Sequence, residues 1–316
     1  MGMLVDGIWR DDTALVERER GRFVRDDSKF RGAVTADGSS GFKAEPGRYH
    51  LFVAYSCPWA HRTIIFRRLK QLEGVITMSA AIPGARDHGW QFDPVDALGF
   101  SYLHQVYTAA APGYTGRVTV PTLWDKQTHK IVNNESPEII RMLNSAFDAF
   151  TPVKDDYYPA PLRPAIDAIN ALVYGKINNG VYRCGFAGTQ EAYDEAFDAL
   201  FAALDEVEAL LSRQRYLCGE QLTEADWRLF PTLVRFDAVY HGLFKCNRHR
   251  LGDFPHLTGY ARELCQIDGV ADTVRLDDIK RGYYANRQIN PNGIVPRGPI
   301  VDFSLPHQRD RLPRAA

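Results

Sequence analysis

The stretch YHLFVAYSCPWAHRTII, residues 49–65, predicts a β-strand that leads through a cysteine into an α-helix. Residues 49–55 are rich in strand-forming side chains, and this run stops at Ser56, Cys57 and Pro58. A proline in the first helical turn is pre-organised for helical φ. Apolar side chains then recur at helical spacing, at Ile64, Ile65, Leu69 and Leu72. The sequence therefore predicts a thiol at the N-terminus of a helix.

Cys57 is the candidate nucleophile because of this position. A thiol reacts as its thiolate, and the free N–H groups and positive dipole end of a helix N-terminus lower a thiol pKa. A dithiol motif Cys-x-x-Cys would have its second sulfur at position 60, where this chain has Ala60. A mixed disulfide on Cys57 must therefore be resolved by an external thiol, which points to a small co-substrate of the glutathione type.

The other reactive side chains have weaker local signals. His61 follows Ala60 and could donate a proton, but we favour a place on the helix surface. The chain has five cysteines, whose scattered positions form neither a disulfide framework nor a zinc pattern, and this indicates a reducing compartment. Four of them are predicted to be buried and inert, namely Cys184, Cys218, Cys246 and Cys265.

Length and composition are those of a two-domain globular protein. The chain has 316 residues, of which 45% are hydrophobic, enough for sizeable cores. Lys plus Arg number 38 and Asp plus Glu number 39, with no basic stretch, so we expect no nucleic-acid partner. Residues 1–6 lack the features of a signal peptide, and no apolar run reaches membrane-spanning length. These features favour a cytoplasmic protein that does not bind membranes.

The N-terminal half is predicted to be α/β. Residues 1–45 are polar and irregular and are expected to form an extension draped over the domain of residues 46–150. Beyond the opening strand and helix, residues 75–80 and 118–124 predict strands, and most of the segment 83–116 is expected to be loop. After residues 130–134, Ser136 can cap a helix that Pro137 opens and that extends through Leu143.

The C-terminal half is predicted to be all-α. One apolar stripe extends from Leu162 to Ile177 and another from Tyr193 to Leu211, both at helical spacing. Residues 223–226 resemble a capping box and predict a third helix. Prolines near residues 157–161 mark the boundary between the halves. The predicted helical domain covers residues 160–285, and residues 286–316 are expected to form an extended, surface-bound tail.

Two further sequence features suit a thiol with a γ-glutamyl group. Val120 precedes Pro121, whose peptide bond is often cis in folds of this shape and leaves the preceding backbone free to pair with an extended peptide. An ordinary edge-strand proline is the alternative. Glu135 and Ser136 stand where a helix is predicted to begin, so backbone N–H groups there could bind a carboxylate while Glu135 accepts an ammonium. Ser136 could instead be a simple N-cap.

Five stretches of the chain together resemble the glutathione transferase superfamily and, more narrowly, its Xi class, the glutathionyl-hydroquinone reductases. They are YSCPWAHR, GRVTVPTLWD, IVNNES, NNGVYRCGFAGTQEAYDEA and LTEADWRLFPTLVRFDAVYHGLFKCN. The resemblance implies the glutathione transferase fold, in which an α/β thioredoxin-like N-terminal domain precedes an all-α C-terminal domain. It also implies glutathione as co-substrate, no metal, and a homodimer.

The resemblance assigns roles to individual residues. Cys57 matches the nucleophile. The residues that match glutathione contacts are Trp90, Arg117, Val120, Glu135 and Ser136. The tyrosines that match those facing the quinone-derived ring are Tyr182, Tyr240 and Tyr283, although Tyr284 is adjacent to the last of these.

The implied reaction is the glutathione-dependent reduction of an S-glutathionyl-hydroquinone through a mixed disulfide on Cys57. Two alternatives stay open at this point. An omega-like thiol transferase or dehydroascorbate reductase would also use a single cysteine but would not need the tyrosines. A binding protein without catalytic activity could have the same fold. The sequence does not name the physiological quinone or the cellular thiol.

Overall fold

The computed structural model describes residues 2–11, 18–24, 27–85, 88–93, 95 and 97–313. The strands of this part of the chain are β1 Met3–Val5, β2 Ile8–Arg10, β3 Arg18–Glu19, β4 Arg22–Phe23, β5 Val34–Thr35, β6 Phe42–Lys43, β7 Tyr49–Val53, β8 Thr77–Ala80, β9 Gly116–Arg117, β10 Thr122–Asp125 and β11 Lys130–Asn133. The α-helices are α1 Pro58–Leu69, α2 Leu103–Ala110, α3 Ser136–Ser145, α4 Arg163–Leu172, α5 Gly180–Gly185, α6 Gln190–Leu211, α7 Glu224–Arg235, α8 His241–Leu243, α9 Pro255–Cys265 and α10 Leu276–Tyr284.

The chain divides into two compact units, which are described separately. The first comprises the described residues of 1–15, 26–155 and 281–285, and the second those of 16–25, 156–280 and 286–316. Residues of the N-terminal extension therefore occur in both units. The last turn of α10, which carries Tyr283 and Tyr284, belongs to the first unit, whereas most of that helix belongs to the second.

The first unit is built on a four-stranded mixed sheet with the order β11-β10-β7-β8. Strands β7 and β8 are parallel, whereas β10 is antiparallel to both β7 and β11. Strand β7 lies within the run of residues 49–55 that predicted a strand, and every residue of it is buried. The crossover from β7 to β8 is α1, which begins at Pro58 directly after Cys57. This is the predicted thioredoxin-like arrangement of strands and helices.

His61 is buried, so the expectation that it lies on the helix surface was wrong. Residues 60–66 of α1 are all buried, and they cover every face of the helix over two turns. Over these two turns the helix has no solvent-exposed side, and its exposed polar residue, Arg68, comes only in the last turn. The polar character of His61 therefore did not indicate that it lies on the surface of α1.

The segment 83–116 contains a helix that the sequence analysis missed. Helix α2 is short, and its buried positions are Leu103, Val106 and Tyr107, at spacings of three and four residues. The glycines and prolines around it favoured a loop interpretation. The described residues among 1–45 also form six short strands, β1 to β6, where irregular structure was expected.

Between residues 156 and 280 the second unit is built of helices, as the apolar stripes predicted. The first predicted helix is divided into α4, a π-helix at Val173–Asn178 and α5. The capping box at the start of α7 is confirmed. The fully buried Asp226 carboxylate accepts hydrogen bonds from the Thr223 N–H at 2.8 Å, the Leu217 N–H at 2.9 Å and the Tyr260 hydroxyl at 2.7 Å. These bonds satisfy a polar group that would otherwise be costly to bury.

Within the second unit, a buried arginine of the C-terminal tail binds the helices on which the tail lies. The guanidinium of Arg309 donates to the carbonyls of Leu211 at 3.1 Å and Arg215 at 2.6 Å, and to the carboxylate of Glu263 at 3.2 Å. Gly259 lets the tail approach α9, because a Cβ there would lie 2.6 Å from the carbonyl oxygen of His307. Among the described residues, no helix combines the length and hydropathy that a membrane crossing requires.

We predict that His50 makes the stability of the protein depend on pH. Its ring nitrogens are 2.8 Å from the Thr77 hydroxyl and 3.0 Å from the Ser79 hydroxyl, and burial lowers its pKa to about 4. An unfolded histidine has a pKa of about 6.5, so the stabilisation is present above pH 6.5 and is lost as the pH falls towards 4. At about 1.4 kcal/mol per pH unit, the loss amounts to about 3 kcal/mol.

Urea unfolding of the wild type and of His50→Gln at several pH values measures this difference. The variant should lose less stability than the wild type between pH 6.5 and 4. His88→Gln is the matched control, because its side chain is exposed. Parallel pH profiles for the wild type and His50→Gln would contradict the prediction.

Candidate active site

The structure places the Cys57 thiol at the beginning of α1. Cys57 is the N-cap residue, with φ −83° and ψ 121°, and Pro58 is the first helical residue. The backbone N–H of Cys57 donates to the carbonyl of Ala54 at 3.0 Å, which holds the turn before the helix. The thiol is half-buried, and its Sγ donates to the carbonyl oxygen of Val120 at 3.5 Å. The predicted position of the thiol at a helix N-terminus is confirmed.

Val120 and Pro121 are joined by a cis peptide bond, as predicted. They precede β10 directly, and Val120 is buried. The contact between Cys57 Sγ and the Val120 carbonyl therefore connects the start of α1 to the loop before the central antiparallel strand.

The Glu135–Ser136 pair is at the start of a helix, but Ser136 is not its cap. Glu135 is the N-cap residue of α3, and Ser136 is the first helical residue. The Glu135 N–H donates to the side-chain oxygen of Asn133, two residues earlier, at 2.6 Å. The N–H groups of the first turn of α3 remain the predicted anion-binding feature.

Arg62 connects the Cys57 helix to this second helix N-terminus, and the sequence analysis missed it. Its guanidinium is buried, donates to the Ser136 hydroxyl at 3.3 Å, and lies 4.6 Å from the centre of the Trp59 ring. The ring face stabilises the cation, which is otherwise costly to bury. In sequence Arg62 looks like a surface residue of a helix, so no local signal indicated this role.

The hydroxyl of Tyr107 links the two loops that carry Val120 and Glu135. Tyr107 is fully buried, and its hydroxyl donates to the Thr119 carbonyl at 3.0 Å. The same oxygen accepts the Thr119 N–H at 3.2 Å and the Asn134 side-chain amide at 3.1 Å. Thr119 immediately precedes Val120, and Asn134 immediately precedes Glu135. One phenol oxygen therefore fixes the residues next to both predicted contacts.

The N-terminal extension reinforces this arrangement at the edge of the sheet. The Phe30 carbonyl accepts the Asn134 N–H at 3.2 Å, and the Phe30 N–H donates to the Asn134 side-chain oxygen at 3.3 Å. Arg31 pairs with Asn133, the last residue of β11, as an antiparallel bridge. The Asn133 side chain donates to the Gly32 carbonyl at 2.8 Å. Arg31 also forms an ion pair with Glu138 in the first turn of α3. The extension thus covers the edge strand immediately before Glu135.

Trp90 and Arg117 lie in the same unit, and the β1–β2 hairpin contacts the segments that carry them. Arg117 in β9 pairs with Met3 in β1. The Trp90 carbonyl accepts the Leu103 N–H at 2.9 Å, at the start of α2. Trp9 of β2 packs closely on Gly89, the residue before Trp90. A Cβ on Gly89 would lie only 2.8 Å from the Trp9 ring. The hairpin therefore supports both predicted glutathione contacts.

Tyr283 belongs to the unit that contains Cys57. The last turn of α10 packs on the residue before the thiol, because a Cβ on Gly282 would lie only 2.3 Å from the Cβ of Ser56. Tyr283 and Tyr284 are both buried, and burial raises the pKa of Tyr284. Their exposed fractions are nearly equal, at 9% and 8%.

Tyr182 and Tyr240 lie together in the second unit, within an aromatic cluster. Their ring centres are 6.1 Å apart, and Phe244 is 5.4 Å from Tyr182 and 5.3 Å from Tyr240. Tyr182 is half-buried, whereas Tyr240 has no exposed surface. A direct contact between Tyr240 and a bound ring would therefore require that its surroundings open.

The four other cysteines all belong to the second unit. Three are buried as predicted, namely Cys184, Cys246 and Cys265. The expectation for Cys218 was wrong, since this thiol is half-buried; even so, burial raises its pKa to about 11. Burial raises the pKa of Cys265 to about 11 as well. Such thiols are poorly ionised at neutral pH.

Within the described part of the chain, no three His, Cys, Asp or Glu residues are grouped as a metal site would require.

Sequence profiles assign both parts of the chain to one family. The profile described as the glutathione S-transferase N-terminal domain matches residues 56–146, and that of the C-terminal domain matches residues 190–263. The chain is 53% identical over 306 residues to the glutathionyl-hydroquinone reductase PcpF of Sphingobium chlorophenolicum, covering 95% of this chain and 96% of PcpF. It is 48% identical to the glutathionyl-hydroquinone reductase YqjG of Escherichia coli, covering 98% and 99% of the two chains.

Solved structures lead to the same family. The glutathione-bound structure of Escherichia coli YqjG superposes with a TM-score of 0.90 at 46% identity, covering 98% of this chain and 99% of YqjG. The Xi class glutathione transferase from Natrialba magadii superposes with a TM-score of 0.92 at 46% identity, covering 100% of this chain and 98% of that one. The chain therefore belongs to the glutathione transferase superfamily and, within it, to the Xi class of glutathionyl-hydroquinone reductases.

Proposed function

We propose that this protein reduces S-glutathionyl-hydroquinones to hydroquinones at the expense of glutathione. The observation that carries the proposal is the single thiol of Cys57 at the N-terminus of α1, with Ala60 where a resolving cysteine would be. Two relatives, PcpF at 53% and YqjG at 48% sequence identity, are named for this activity. The YqjG structure contains bound glutathione, which supports glutathione as the thiol.

The first half-reaction transfers the glutathionyl sulfur to Cys57. The Cys57 thiolate attacks that sulfur, a sulfur–sulfur bond forms, and the bond between sulfur and the ring carbon breaks. The ring carbon keeps the bonding electron pair and takes up a proton, so the hydroquinone is released in reduced form. An aromatic carbon is a poor leaving group, so we expect the ring to pass through a keto tautomer before the bond breaks.

The second half-reaction restores the thiolate. A glutathione thiolate attacks the mixed disulfide and releases oxidised glutathione and the Cys57 thiolate. The two electrons that reduce the ring carbon therefore come from two glutathione sulfur atoms, one of which arrives as the thioether of the substrate and the other as a free thiol.

The thiol-side residues are proposed to bind the glutathionyl group. The backbone of Val120 would pair with the cysteinyl part of glutathione as a short extended peptide. Glu135 and the first turn of α3 at Ser136 would hold the ammonium and the carboxylate of the γ-glutamyl group. Arg117 and Trp90 would bind the remaining part of glutathione, where the fixed charge of Arg117 suits a carboxylate.

The tyrosines are proposed to supply the proton and to polarise the ring oxygen. A phenol has a pKa of about 10, so at neutral pH it is a proton and hydrogen-bond donor. The candidates are Tyr182, Tyr240 and Tyr283. Of the two tyrosines in the aromatic cluster, Tyr182 has accessible surface and Tyr240 has none. The homodimer and the cytoplasmic location stay predictions.

Replacing Cys57 by serine should abolish turnover. We expect the rate of glutathionyl-hydroquinone reduction to fall on the order of 10³-fold or more, because serine is not a nucleophile for disulfide formation. Mass spectrometry of the wild type mixed with substrate alone should show one glutathione on Cys57. Cys218→Ser, which removes the other half-buried thiol, should behave as the wild type. Retained turnover in Cys57→Ser, or an adduct on another cysteine, would refute the mechanism.

Replacing Tyr182 by phenylalanine should slow the release of the hydroquinone. We expect a decrease of about 100-fold in single-turnover release, because a general acid typically contributes that much. Resolution of a pre-formed mixed disulfide by glutathione should keep its rate. Tyr193→Phe is the control, since the Tyr193 hydroxyl donates to the Lys245 carbonyl outside the cluster. An unchanged release rate would exclude Tyr182 as the acid.

Replacing Tyr107 by phenylalanine should weaken glutathione binding while leaving the chemistry intact. Loss of the hydroxyl removes bonds to the residues next to Val120 and Glu135, so we expect KM for glutathione to rise about fivefold, equivalent to about 1 kcal/mol. Steady-state kinetics with varied glutathione measures the effect. Tyr216→Phe removes another fully buried hydroxyl, one that contacts Glu263 in the second unit. If both variants lose stability equally and neither changes KM, the positioning role is wrong.

A further inference from the structure

The N-terminal extension brings a phenylalanine to the aromatic cluster of the second unit. Phe23 ends the short β3–β4 hairpin, and its ring centre lies 6.4 Å from that of Tyr182 and 5.7 Å from that of Phe186. The Phe23 and Tyr182 rings are nearly parallel, with an interplanar angle of 26°. About 160 residues of sequence separate the two side chains, so no local pattern predicts the pair.

The hairpin is attached firmly enough to hold Phe23 in place. The Gly21 carbonyl accepts the Gly188 N–H at 2.8 Å. Gly21 has φ +81° and packs on Thr189, the N-cap of α6, where a Cβ would lie 2.7 Å from the Thr189 hydroxyl. Only glycine adopts this conformation readily, and no larger residue would fit so close. The neighbouring ion pair between Arg22 and Glu195, at 2.7 Å, is exposed and adds little.

Exposure divides the cluster into an inner and an outer part. Tyr240 and Phe244 have no exposed surface, and Phe186 is also buried. Phe23 and Tyr182 are both half-buried. These two residues therefore form the part of the cluster that another aromatic ring could reach without displacing the rest.

We propose that Phe23 is a specificity-determining residue for the ring of the substrate. This inference rests on the proposed reductase function. Tyr182 supplies a hydroxyl for the ring oxygen, and Phe23 supplies an apolar face beside it on which a planar ring can pack. Apolar ring substituents such as methyl groups or chlorine gain most from this face, because their transfer from water to an apolar surface is favourable. The extension thus favours hydroquinones that carry apolar substituents.

The test compares three substrates that all react at Cys57. They are glutathionyl-hydroquinone, glutathionyl-trimethylhydroquinone and the mixed disulfide of glutathione with 2-mercaptoethanol, which has no ring. In Phe23→Ala we expect kcat/KM for the trimethyl substrate to fall about tenfold, since pocket contacts of a few methyl groups discriminate by at least this much. The unsubstituted ring should lose less, and the ring-free disulfide should keep its wild-type value.

Two more variants separate a ring contact from a general effect on the fold. Phe23→Leu keeps an apolar side chain and should recover most of the preference for the trimethyl ring. Val24→Ala changes the exposed neighbour on the same hairpin and should behave as the wild type. Thermal unfolding of each variant tests whether the hairpin and its unit stay folded.

Each outcome decides the question. A preference for the trimethyl ring that falls in Phe23→Ala and returns in Phe23→Leu supports the proposal. If the ratio of the two ring substrates is the same in Phe23→Ala as in the wild type, or if all three substrates lose activity equally, Phe23 does not determine specificity. If the wild type reduces the ring-free disulfide but neither ring substrate, the reductase function itself fails, and this inference fails with it.

Discussion

One buried oxygen atom, the phenol oxygen of Tyr107, holds the thiol side of the candidate site in shape. It donates to the Thr119 carbonyl and accepts from the Thr119 N–H and the Asn134 side-chain amide. The hydroxyls of Thr119 and Thr122 also lie within hydrogen-bond distance of it, at 3.3 and 3.2 Å. Because Val120 follows Thr119 and Glu135 follows Asn134, the spacing between an extended backbone segment and a helix N-terminus follows from this network. Without these hydrogen bonds, the loops that carry Val120 and Glu135 would be among the more mobile parts of the fold, because surface loops generally are.

The N-terminal extension makes specific contacts in both compact units. In the first unit, Phe30 and Arg31 lie along the edge of the sheet, and Trp9 packs against the segment that carries Trp90. In the second unit, the β3–β4 hairpin brings Phe23 to Tyr182. Two of these contacts require glycine. Gly21 of the extension packs on Thr189, and Gly89 packs on Trp9 of the extension; both glycines have positive φ and leave no room for a Cβ.

The sequence could predict those features whose causes are local. The start of α1 follows from Cys57 and Pro58 alone, and the start of α7 follows from a capping box. The burial of His61 could not be predicted, because it depends on what packs around every face of α1. Arg62 looked like a surface residue for the same reason, and Phe23 contacts Tyr182 only through the tertiary fold. The tyrosines themselves came from the resemblance to a family, since a single tyrosine in a helix carries no signal of its own.

The absence of a second thiol determines what kind of specificity the protein needs. Ala60 is fully buried one turn after Cys57, and the other four cysteines all belong to the second unit. A mixed disulfide on Cys57 has no resolving thiol in its own unit, so its lifetime depends on the arrival of a free thiol from solution. Any thiol can attack a disulfide, and selection for glutathione must therefore come from groups that bind the rest of that molecule. In the proposed mechanism, Val120, Glu135 and Ser136 would supply this selection, held by the hydrogen bonds around them.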